Sequence, residues 1–178
     1  LEIILKDELI GLKVLLSYTV FENYDVITRS AKLINEGSEK LKVLRALSAN
    51  VDFRDDEFDM IQLCGAHVRE RNIIRKPITV GNQSIESKRG ASSHQANPFL
   101  ALLRKNADED NGEVFGFSLV YSGNFLANVE VDQYKTTRVH IGINPFDFSY
   151  MLKPLESFQT PEVVMVYSDS GLGKLSRT

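Results

Sequence analysis

Tryptophan is missing from this 178-residue sequence, cysteine occurs once and histidine three times. A lone Cys64 excludes any intrachain disulfide and any all-cysteine metal cage, and it favours a reducing, cytoplasmic setting. Cys64 and His67 have ligand-like spacing, but a four-ligand zinc site would need His94 and His140 as well. A buried thiol beside a hydrogen-bonded histidine is the expectation instead. No apolar stretch approaches the roughly 18 residues of a membrane span. Leu1–Asp7 has neither a basic patch leading into a long apolar run nor a cleavage-like site. Neither charge sign dominates: 21 basic residues face 24 acidic ones, a formal charge of −3. That balance supplies no basic footprint for nucleic acid. The length suits one domain with a sizeable core, and falls short of the roughly 200 residues or more of a complete eight-fold β/α barrel.

What is present is alternation. In Leu12–Val20 the even positions form an apolar face with period two, as a half-buried strand requires. Asp25–Ile34 continues with frequent β-branched residues, Asn35-Glu36-Gly37-Ser38 supplies turn chemistry, and a third strand starts at Leu41. Further strands are expected over Asp59–Cys64, Val68–Ile74, Glu113–Tyr121, Phe125–Val131, Thr137–Ile143, Met151–Leu155 and Val163–Tyr167. Gly81-Asn82, Asn111-Gly112, Ser122-Gly123-Asn124 and Asn144-Pro145 bound them as turns. No amphipathic helix stands out. Short strands at this spacing predict an all-β fold, two packed antiparallel sheets in a large β-sandwich, with residues 1–178 forming a single domain. Gly90–Asn97 is the longest stretch without strand character and reads as a loop of small and polar residues.

Nucleophile, phosphate and calcium motifs fail on inspection. Ser168–Leu175 resembles a phosphate loop, but Ser168 stands where the first glycine belongs and Leu175 where the magnesium-binding hydroxyl belongs; no helix is expected after the strand. Asp108–Gly112 opens like a calcium loop, yet Gly112 comes one position early and Leu119 replaces the bidentate glutamate, so a solvated hairpin turn is expected. In Ser92-Ser93-His94, adjacent residues of an extended chain point in opposite directions, and the strained strand-to-helix turn of a nucleophilic serine is absent.

Charge is segregated in one place. Asp52–Asp59 carries five carboxylates and one arginine, whereas Ala66–Gly90 carries six cations and two glutamates. Arg69, Arg71 and Arg75 alternate along one side of the expected strand. They could pair with the acidic segment as a cross-strand charge ladder, or form a polar interface with another domain or a hydroxyl-rich ligand.

The loop and its flanks, Arg89-Gly90-Ala91-Ser92-Ser93-His94-Gln95-Ala96-Asn97-Pro98-Phe99, closely resemble a segment of the α-galactosidases of glycoside hydrolase family 36. Val68-Arg69-Glu70-Arg71, Asn144-Pro145-Phe146-Asp147-Phe148, Ser157–Tyr167 and the opening Leu9–Gly37 resemble the same family in order. Where His67 stands, family sequences more often have tryptophan.

The resemblance implies a larger enzyme: an N-terminal β-sandwich, a β/α barrel with an Asp nucleophile and an Asp acid/base, and a small C-terminal β-domain. This chain corresponds to the middle and end of the sandwich. It lacks an initiator methionine and is expected to be a piece of that enzyme without its barrel, so no catalytic residue is assigned. For the parent the resemblance implies retaining hydrolysis of terminal α-galactosides such as melibiose and raffinose, with no metal or organic cofactor, and assembly into a homo-oligomer, commonly a tetramer. The sandwich would pack on the barrel, and Arg89, His94, Gln95 and Asn97 would lie at the pocket rim or barrel interface. The rival reading is a stand-alone sandwich that binds galactosides or a protein partner.

Overall fold

The computed structural model describes residues 1–178 and contains fifteen strands and one short helix. In chain order the elements are β1 (Glu2–Asp7), β2 (Leu12–Phe21), β3 (Val26–Asn35), β4 (Leu41–Val43), β5 (Leu47–Phe53), β6 (Phe58–Ala66), β7 (Arg69–Pro77), β8 (Gly81–Glu86), β9 (Ala96–Arg104), β10 (Val114–Leu119), β11 (Phe125–Val131), β12 (Thr137–Ile143), β13 (Tyr150–Leu152), β14 (Ser157–Gln159), β15 (Val163–Ser168) and α1 (Gly171–Arg177). The large sheet runs β1-β2-β3-β15-β10-β9-β6-β7, with β14 also on β3. A four-stranded sheet runs β5-β12-β11-β8, and β13 pairs with β4. Neighbouring strands are antiparallel throughout. The all-β sandwich expected from alternation is the fold observed.

The core lies between the two sheets. Phe58, Met60, Leu100, Leu102, Phe117 and Leu119 of the large sheet meet Phe125, Ala127, Val129, Val131, Val139 and Ile141 of the small one. Each large apolar side chain buried there contributes about 1.5–3 kcal/mol. The intervening residues of the central strands, Ile61, Ala101, Leu103 and Val114, face the other way and are covered by Leu172 and Leu175 of α1. The centre of the large sheet is therefore covered on both faces, while its wings are not: every residue of β1 and all but one of β7 are exposed.

Burial on both faces explains why β9 escaped the sequence reading. Its Phe99-Leu100-Ala101-Leu102-Leu103 is a continuous apolar run without alternation, and Pro98 argues against a central strand. The proline is accommodated at a bulge: β6 and β9 shift register between Gln62 and Cys64. Asn97 lies in this strand and not in the loop. Two further corrections concern β8, which begins at Gly81 where a turn was expected, and the segment from Met151, which leaves the ribbon after Leu152 and turns through Leu155 at φ 65°. The expected turn at Asn35 is present, with the fully buried Asn35 side chain accepting from Gly37 N–H at 3.0 Å and donating to Glu39 and Leu152 carbonyls.

Contrary to expectation, β15 does lead into a helix. Gly171 starts it at φ +74°, where an added Cβ would meet the Glu109 carbonyl oxygen at 2.5 Å. The first helical N–H groups are already engaged: Gly171, Leu172 and Gly173 donate to the carbonyls of Gly112, Asp108 and Glu109 at 2.8–3.0 Å. The Asp108 loop thus takes the donors a phosphate would use. The Asp108 side chain is turned inward as a turn former, accepting from the N–H groups of Asp110 and Asn111, and these bonds hold its carboxyl below the usual carboxylate range.

One end of the core is closed by charge. Arg104 lies 4.1 Å from the Phe58 ring centre, and its guanidinium donates to Asp55 at 2.6 Å and Glu113 at 3.2 Å. The hydrogen bond from Arg104 holds the Asp55 carboxyl low. Of the three alternating arginines only Arg75 joins a ladder, donating to Asp59 at 2.7 Å and to the carbonyls of Ala107 and Lys105. Arg69 and Arg71 form no ion pair, and Arg71 sits at φ +55°.

Candidate functional site

The segment joining β8 to β9 carries most of the residues singled out from sequence. It is fastened at several points: Ser87 Oγ donates to Ala91 O at 2.6 Å, Gly90 N–H donates to Asn124 Oδ1 at 2.7 Å, and Ser92 N–H donates to Ser122 O at 2.8 Å. The turn between β10 and β11 is therefore its floor. Asn144, buried after β12, secures the start of the segment: its amide donates to Glu86 Oε2 at 2.9 Å and to the carbonyls of Ser87 and Phe125 at 3.2 Å, while its oxygen accepts from Phe146 N–H.

The four predicted residues do not converge. Arg89 and Gln95 are exposed on a polar cleft of about 410 Å³, whereas His94 projects into solvent and Asn97 points toward β6. Asn97 Nδ2 donates to Leu63 O at 3.3 Å across the register shift, replacing a missing rung of the ladder. Asn97→Ala is accordingly expected to lower stability by about 0.5–1.5 kcal/mol, seen as a lower denaturant midpoint with an unchanged slope. Neither Ser92 nor Ser93 is bonded to His94; Ser93 Oγ accepts from Gln95 N–H. Cys64 is half-buried and His67 exposed, so the expected buried thiol beside a bonded histidine is not formed.

Sequence reasoning missed the other walls of this cleft. Gln62 and Cys64 come from β6, Ser84 and Glu86 from β8, and Lys88 and Ser93 from the loop. Glu86 is opposed by burial, but hydrogen bonds from Lys88 and Asn144 and the Lys88 charge outweigh it and hold its carboxyl below the usual range. Lys88 Nζ lies 2.8 Å from Glu86 Oε1. Gln62 and Ser93, the outermost of these residues in sequence, are brought to one cleft by the strand order.

Two apolar depressions lie elsewhere. A trough of about 680 Å³ crosses the helix face of the large sheet, lined by Leu63, Ile73, Phe99, Val164 and Val166 beside Leu172 and Leu175. A second, of about 510 Å³, lies between β3, β15 and the edge strand β5, with Val20, Ile27, Val51, Phe53 and Met165 in its walls. A fourth, smaller hollow borders Phe21 and Val164. Glycoside hydrolysis uses two carboxyl groups about 5–9.5 Å apart across the scissile bond. Each of these four depressions is lined by one side-chain carboxylate: Glu86 in the polar cleft, Glu109 in the trough, Asp25 in the second apolar depression and Glu162 in the smaller hollow. No group of three or more His, Cys, Asp or Glu side chains is placed to hold a metal ion.

Residues 1–153 match the model of the glycosyl hydrolase family 36 N-terminal domain. The chain is 64% identical to the α-galactosidase AgaA of Geobacillus stearothermophilus over all 178 residues, which is 24% of that protein. It superposes on the crystal structure of AgaB from the same organism with a TM-score of 0.98 and 63% identity, covering 99% of this chain and 24% of that one. The match to an AgaA variant crystallised with raffinose has the same TM-score, identity and coverage. The chain thus spans about a quarter of the length of these relatives. It belongs to the N-terminal domain family of glycosyl hydrolase family 36.

Proposed function

We propose that the chain is the non-catalytic sandwich of a larger α-galactosidase, packing against the catalytic part of the polypeptide and supporting its assembly into a homo-oligomer. The observation that carries this reading is the match of residues 1–153 to the family 36 N-terminal domain, in a chain that spans about a quarter of the α-galactosidases it resembles; the four depressions described each hold a single side-chain carboxylate, where a retaining mechanism needs one to attack the anomeric carbon and another to protonate the leaving oxygen. The two apolar depressions and the exposed side chains of Leu5, Val20, Ile27 and Ile73 supply surface of the kind that domains bury against one another. Arg89 and Gln95, exposed on the loop, are the predicted residues best placed for the rim of a neighbouring pocket. Raffinose, held by the AgaA variant, indicates the substrate class of the parent, a terminal α-galactoside. A cytoplasmic setting fits the single unpaired cysteine.

In the full-length enzyme, Glu109→Gln, Glu86→Gln, Asp25→Asn and Glu162→Gln should each leave kcat on a chromogenic α-galactoside within a few-fold of the parent. Loss of about 10³-fold or more at any one of them, with the fold intact, would place a catalytic group in this chain and overturn the proposal.

A further inference from the structure

We propose that the polar cleft between the two sheets is a binding site for a small neutral polyhydroxylated molecule of about monosaccharide size. This does not depend on the galactosidase reading. On the face of β6 that looks into the sandwich, Phe58 and Met60 are fully buried, and the next two positions of that face, Gln62 and Cys64, leave the core and line the cleft. Gln62 Oε1 is buried and has no hydrogen-bond partner, a costly state for an amide oxygen unless something else completes it. Rotation about the last side-chain torsion of a glutamine is soft, so this amide can turn toward a group entering the cleft.

The rest of the lining narrows the ligand class. Side-chain donors and acceptors without a partner in the fold line it together: the Arg89 guanidinium and Gln95 amide donate, and the Gln62 and Gln95 side-chain oxygens accept. Behind Ser84, the edge strand β8 leaves every second main-chain N–H and C=O without a strand partner. Hydroxyl groups, each both donor and acceptor, match such a lining. A phosphate would be drawn by Arg89 but would have to compete with the Glu86 carboxylate for Lys88, which neutral hydroxyl groups need not do; an apolar ligand would leave Gln62 unsatisfied. The walls are preorganised, because Asn144 and the Ser87–Ala91 bond fix the segment. At about 410 Å³ the volume falls within the range of small-molecule sites.

The test is a nitrogen-15 chemical-shift titration of the full chain with galactose, with glucose and with inorganic phosphate, paired with galactose soaks of crystals of the full-length protein. Saturable shifts at Gln62, Ser84 and Gln95 with a sugar Kd of about 1–10 mM are expected, with none from phosphate. Gln62→Leu and the exposed Gln95→Ala should each weaken binding about tenfold while the spectra remain folded. Four results would overturn the site: no saturation by about 100 mM sugar, saturation by phosphate at the same residues, unchanged affinity in both variants, or a polypeptide segment filling the cleft in the crystals.

Discussion

Phe58→Ala should lower the free energy of unfolding by about 3–5 kcal/mol, a large share of the roughly 5–15 kcal/mol available to a domain of this kind. Phe58 has no exposed surface and packs edge-on against Phe53 and Phe115, with ring centres 5.2 and 6.1 Å away. The Arg104 guanidinium forms its lid. Truncation therefore opens a hole beneath a charge whose remaining support is Asp55 and Glu113, and neighbours tied into those ion pairs can collapse only partly. Phe58→Leu keeps most of the volume and should cost less than about 1.5 kcal/mol. Chemical denaturation checks both; an alanine variant as stable as the leucine variant would contradict the packing described.

Asn144→Ala ranks next, at about 2–4 kcal/mol. The side chain is buried, its amide hydrogens reach three acceptors and its oxygen holds Phe146 N–H. Removing it orphans the Ser87 carbonyl and takes one of the two side-chain donors from Glu86. Asn144→Asp should be at least as harmful at neutral pH, because an acceptor-only carboxylate would face two carbonyls and the Glu86 carboxylate. Equal stability of Asp and Asn at neutral pH, measured by thermal unfolding, would show that the network is not the source of the effect.

Legibility in the sequence followed exposure. Strands with one wet face, such as β2 and β12, announce themselves by alternation, and their limits were found to within a few residues. β5 carries the same signal in Leu47, Ala49, Val51 and Phe53 but runs into the acidic segment that drew attention instead. β9 is dry on both faces and carries Pro98, so period and propensity both point away from a strand. α1 spans seven residues, two of them glycine; contact with Ile61, Leu103 and Val114 stabilises it where its own propensity would not. Family membership was legible in the motifs. The site was only half so: Asn97 stands in a recognisable motif yet mends a bulge, while Gln62 and Glu86 carry no local signal and gain meaning only when β6 and β8 are brought to face the same gap.

The measurement that bears most directly on the division of labour is hydrolysis of a chromogenic α-galactoside by the purified 178-residue chain beside the full-length protein. Release of chromophore is expected from the long protein alone, with the short chain indistinguishable from buffer. Hydrolysis that rises in proportion to the short chain, and disappears when one of its own carboxylates is replaced, would contradict the assignment of this sandwich to scaffolding.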